Sequence, residues 1–153
     1  MKRLIGMMGL LLFACSVGVQ AQAKSETRTA EQLAKTFSKA YAEKRLASLD
    51  RERPFAGTIK FVIKHSLAED NAPDQYEVKS FKTLAQADRW LKKRGVDENT
   101  PSRETSALKG CRKGVCTFDV LGLLHNQLFL TKITYGSRNG RLYIKTVYLT
   151  DGD

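Results

Sequence analysis

Three rhythms of apolar and polar residues succeed one another along this chain, and each predicts a different element. The first is a run without charge from Leu4 to Ala14, preceded by Lys2 and Arg3. The second is helical. Leu33, Phe37, Ala40 and Tyr41 recur at spacings of three and four, which puts them on one face of a helix over 29–49. Thr29 and Gln32 stand in capping-box relation at its start, and Pro54 disfavours helix just before itself. The third rhythm has period two. Ile59, Phe61, Ile63, His65 and Leu67 alternate with Lys60, Val62, Lys64 and Ser66, which predicts a strand over 57–67.

Polar residues over 68–75 predict a turn, followed by a short strand over 76–81 paired back on the first. A second helix is expected over 83–94, capped by Thr83 and Gln86, with Leu84, Ala87 and Leu91 inward and Trp90 at the edge. Lys92, Lys93 and Arg94 close it, where positive charge suits the helix dipole, and Gly95 is a natural stop. A long loop over 96–108 precedes four strands: one ending near Cys111, then 115–121, 127–135 and 141–150. Asn139-Gly140 predicts a type I′ hairpin, because both residues tolerate the positive φ that this turn needs. A two-residue turn there pairs Tyr135 with Ile144, Ile133 with Thr146 and Thr131 with Tyr148, and neither face of that ribbon is clearly drier. Helices segregated from hairpins imply an α+β fold, with one or two helices packed on a mostly antiparallel sheet of about five to six strands. A helix laid across a curved sheet, the layout of cystatin-like folds, fits this order.

The apolar opening changes the reading of the N-terminus. A basic start, a short apolar stretch and Ala21-Gln22-Ala23 before Lys24 have the layout of a bacterial secretory signal. The expected organisation is therefore a signal peptide over 1–23 and a single α+β domain over 24–153, in a periplasmic or secreted protein. The alternative is a lipobox at Leu12-Phe13-Ala14-Cys15, which would make an outer-membrane lipoprotein anchored through Cys15; bulky Phe13 fits that motif poorly. The apolar run is too short and too interrupted, by Ser16 and Gln20, for a membrane span, and none is expected in the mature chain.

Export agrees with the cysteines. Beyond residue 23 only Cys111 and Cys116 remain, and disulfides persist in oxidising compartments. Glycines flank the intervening Arg112-Lys113, so the two sulfurs can meet across a tight turn. The pair is not C-x-x-C, so a redox role is not expected, and neither His65 nor His125 stands at zinc-finger spacing. No metal or cofactor is expected. The acids of 68–75 do not match a calcium loop, and there is no G-x-S-x-G, phosphate-cradling loop or dinucleotide fingerprint.

Charge then locates a candidate site. The net charge of +10 falls to +8 once Lys2 and Arg3 leave with the leader. Over 105–150 the bases are Lys109, Arg112, Lys113, Lys132, Arg138, Arg141 and Lys145, against the single acid Asp119. Lys109, Arg112 and Lys113 around one turn, and Arg138 and Arg141 at the hairpin end, form the expected binding site. Arginines there can fork onto phosphate or carboxylate. The expected protein is a non-enzymatic binding or accessory module of the cell envelope, docking an anionic envelope component or an acidic protein, with no specific nucleic acid. An inhibitor of an exported enzyme is a third class, with acidic targets favoured by the charge. The rival is a small secreted hydrolase. A metal-independent nuclease would use His65 and His125 as base and acid, with Lys64 or Lys132 steadying the transition state.

Overall fold

The computed structural model describes residues 14–65, 73–94, 106–121 and 128–151. Helix α1 spans Ala14–Ala42, and a 3-10 helix over Leu46–Arg51 follows it. Strands β1 (Phe55–His65) and β2 (Gln75–Phe81) come next, then α2 (Leu84–Lys92). Four strands end the chain: β3 (Ser106–Arg112), β4 (Val115–Val120), β5 (Leu128–Arg138) and β6 (Arg141–Asp151). The fold is α+β. The six strands form one sheet in the order β2-β1-β6-β5-β4-β3, antiparallel throughout except where β1 lies parallel to β6.

The first helix differs from its expected bounds at both ends. Thr29 is not an N-cap, because α1 already runs through it. No proline interrupts the residues before it, and Gln, Ala, Lys and Glu there all sustain a helix. The expected cleavage point after Ala23 falls inside α1. At the other end, the helix stops at Ala42 through a Schellman motif. Arg45 N donates to Ala40 O (2.9 Å), Lys44 N to Tyr41 O (3.1 Å), and Lys44 takes φ 55°. A lysine fills the left-handed position that glycine usually marks, so the stop left no sign in the sequence. Leu46 and Leu49 continue the apolar stripe, but from the separate 3-10 helix.

The second helix holds to its signals. Thr83 Oγ1 accepts from Gln86 N (3.2 Å), and Gln86 Oε1 reaches back to Lys82 N (3.1 Å). A second cap comes from far along the chain. Asp50 Oδ1 accepts from Leu84 N (2.6 Å) and Oδ2 from Ala85 N (3.0 Å), fastening the 3-10 helix to the start of α2. Trp90, expected at the edge, is buried against Phe61 and Phe81, with ring centroids 6.3 and 5.2 Å away.

One apolar cluster joins the helices to the inner face of the sheet. Phe37, Ala40 and Tyr41 of α1 belong to it together with Ile133, Val147 and Leu149 of the sheet, as do Leu84, Ala87 and Leu91 of α2. The expected β5–β6 register needs correction. Tyr135 does face Ile144, but Ile133 faces Val147 and Lys132 faces Tyr148. Two bulges cause this, with Lys145 extra on β6 and Thr131 extra on β5. Each shifts the alternation by one residue. As a result Tyr135, Ile133 and Leu130 share the dry inner face with Ile144, Val147 and Leu149. A spacing of three in place of two, Ile144 to Val147 and Leu130 to Ile133, is the trace of these bulges in the sequence.

Candidate functional site

The basic residues of the second half lie on two neighbouring hairpins. In the first, Arg112 pairs with Val115 around Lys113 and Gly114, whose φ angles are 48° and 80°. Two successive positive φ values define a type I′ turn, which matches the twist of the strands that it joins. One residue further in, Cys111 faces Cys116, with the sulfurs 2.01 Å apart and both residues buried next to α1. In the second hairpin Arg138 pairs with Arg141 around Asn139 and Gly140, at φ 53° and 72°.

Both turns sit at the same end of the sheet. Tyr135 N donates to Gly114 O (2.8 Å), tying the first turn to β5. From Tyr135 the β5–β6 ribbon runs on for three residues, roughly 10 Å of strand, before it turns. The second hairpin therefore overhangs the first.

Strand alternation assigns the faces. Cys111, Tyr135 and Ile144 point into the core, so Arg112, Arg138 and Arg141 start from the outer face, which no described element covers. The same count puts Lys60, Lys132 and Lys145 there, three residues outside the expected binding site. Their position is legible once the bulges are known. Lys132 Nζ lies 4.0 Å above the Tyr148 ring, a cation–π contact. Threonines 117, 134 and 146 fill the positions between them.

The five expected binding residues are not equivalent. Arg112, Lys113 and Arg138 are exposed and form no ion pair among the described residues. Lys109 Nζ lies 3.4 Å from Asp119 Oδ1, so the single acid of this region is paired with it. Arg141 Nη2 donates to Glu52 O (2.6 Å), and Ile144 N donates to Pro54 O (2.7 Å). Arg141 thus fastens the hairpin to the segment that enters β1, and its charge is tied to a structural contact.

The opposite end of the sheet carries a second charged group. His65 Nδ1 lies 2.6 Å from Asp151 Oδ2, and its Nε2 lies 3.8 Å from Glu77 Oε2. Glu77 in turn accepts two hydrogen bonds from Arg94, whose guanidinium lies 4.4 Å from the Trp90 ring centre. The Arg94 guanidinium beside Glu77 holds its carboxyl below the usual carboxylate range, against a smaller opposing effect of burial. Both ring nitrogens of His65 face carboxylates. His125 lies outside the described residues. Among the described residues no three His, Cys, Asp or Glu side chains converge to hold a metal.

Two shallow clefts flank α1. One, of about 230 Å³, lies between Leu33 and Phe37 on one side and Leu49 and Pro54 on the other. The second, of about 340 Å³, runs between Lys39, Tyr41 and Ala42 of α1 and Ser106, Leu121 and Leu130. Neither gathers titratable groups into a catalytic arrangement. No helix among the described residues is long and apolar enough to cross a membrane. Comparison with protein-family models, with curated proteins and with solved structures finds no match.

Proposed function

We propose that this chain is an exported, non-enzymatic binding module of the bacterial envelope, and that the basic end of its sheet docks an anionic partner. The observation that carries the reading is the stepped pair of type I′ hairpins, joined through Tyr135 N and Gly114 O. They hold Arg112 and Arg138 at strand ends and Lys113 in the turn between β3 and β4, with no acid paired to any of them among the described residues. Turns held by rigid strands are where recognition is commonly placed. Lys60, Lys132 and Lys145 extend the positive field across the outer face, which would speed the approach of an anionic partner. Phosphate or carboxylate groups of an envelope component or of an acidic protein suit forked arginine donors.

Export is supported by the leader-like opening and by a cysteine pair in bonding position beneath α1.

The test is binding of the purified chain to vesicles with and without anionic phospholipid, and to an immobilised acidic protein. Reversal of Arg112, Lys113 and Arg138 to glutamate should abolish retention at low salt, with the melting temperature little changed. Arg141 is left in place because its guanidinium supports the fold. Unaltered retention by the folded variant would reject the site.

A further inference from the structure

The two edges of the sheet are built differently, and the difference points to a partner. The β3 edge is blunted by a bulge at Lys109 and Gly110, a common protection against strand addition. The β2 edge has no proline, glycine or bulge over Gln75–Phe81, and no described residue pairs with its outer side. Two of the three large apolar side chains most exposed among the described residues stand on it, Tyr76 (60%) and Val78 (55%).

The order of residues along β2 is self-complementary about Val78. Laid antiparallel against a second copy with Val78 facing Val78, Glu77 falls opposite Lys79, and Lys79 opposite Glu77. Tyr76 then falls opposite Ser80. Inward-pointing charges on an edge ordinarily discourage pairing. Here the twofold axis neutralises both, once on each side. Lys79 is exposed and has no ion-pair partner among the described residues, while Glu77 is already fixed in place by Arg94. An isologous contact requires this arrangement, in which residue i meets j and j meets i.

We infer that β2 is a self-association edge, through which two copies of this chain join their sheets antiparallel about Val78. The axis stands perpendicular to the sheet, so both outer faces point the same way. Two basic faces are then presented together, a consequence that rests on the docking reading, although the pairing itself does not.

Sedimentation equilibrium of the purified chain tests the pairing. A dimer is expected at about 100 μM, with its dissociation constant raised at least tenfold by Val78→Lys, which sets two like charges face to face. Lys79→Glu should act in the same direction, because it places two carboxylates opposite on each side. Both positions are exposed, so circular dichroism should show the native fold retained. Val78→Cys should give a covalent dimer on mild oxidation, and Ser80→Cys should not, since residue 80 faces residue 76 across the axis. A monomer at that concentration, a dimer indifferent to both charge variants, or equal cross-linking by the two cysteine variants would overturn the inference. Vesicle retention without dimerisation would reject the pairing and leave the docking reading intact.

Discussion

Lys44 occupies a left-handed backbone position at the end of α1, where a Cβ is costly and glycine is preferred. Lys44→Gly should therefore raise stability by about 0.5–1 kcal/mol, read as a higher melting temperature. The same residue explains why the end of α1 was not legible. The apolar stripe ran on through Leu46 and Leu49, and no glycine announced the stop. Asn139-Gly140 shows the reverse case, in which both turn residues carried the conformation that the backbone adopts. Glu77 offers a pH test at this scale. Its carboxyl is held low in the folded chain, so the stability that it contributes is present above the ordinary carboxylate pKa. That contribution is lost as pH falls through the lowered value. Glu77→Gln should flatten the decline of melting temperature below about pH 4.5, an effect under ~1 kcal/mol because the pair is partly exposed and screened by salt. An unchanged acid limb in the variant would contradict the assigned role of Arg94.

Among the elements, α2 depends on a contact with a residue distant in sequence. Thr83 and Gln86 were readable as its cap, whereas Asp50 lies more than thirty residues away and carried no local sign of its role. Asp50→Ala leaves two first-turn donors without their carboxylate and should cost about 1–2 kcal/mol in thermal unfolding, with Asp50→Asn recovering part of it. The β3–β4 hairpin was legible through its cysteines and flanking glycines, and a bond between Cys111 and Cys116 is worth about 2 kcal/mol by the loop-entropy estimate. Replacing both with alanine, or reducing the native chain, should lower the melting temperature by several degrees, and intact mass before and after reduction reports whether the bond is present. The β5–β6 ribbon was half legible. Its turn and first pair followed from Asn139-Gly140, but the bulges at Lys145 and Thr131 did not. Local alternation cannot separate a bulge from a polar interruption.

For the whole molecule, the α+β class followed from the order of helices and hairpins. The parallel contact of β1 with β6 did not, because it joins strands nearly eighty residues apart and has no local signature. That contact matters for the candidate site, since it brings Lys60 onto the same outer face as Lys132 and Lys145. The basic turns were legible as sequence, but their common placement at one end of the sheet was not. Nor was the division of labour among them, in which Arg141 supports the fold while Arg112, Lys113 and Arg138 remain available. The most direct test of the docking claim compares two variants of equal net charge. One carries glutamate at Arg112, Lys113 and Arg138; the other carries it at Lys35, Lys39 and Lys93, exposed on or beside the helices. Retention on anionic vesicles, followed across a salt titration, should be lost in the first and kept in the second. Equal weakening of both would show that overall charge alone governs binding and would contradict a site at the hairpin end of the sheet.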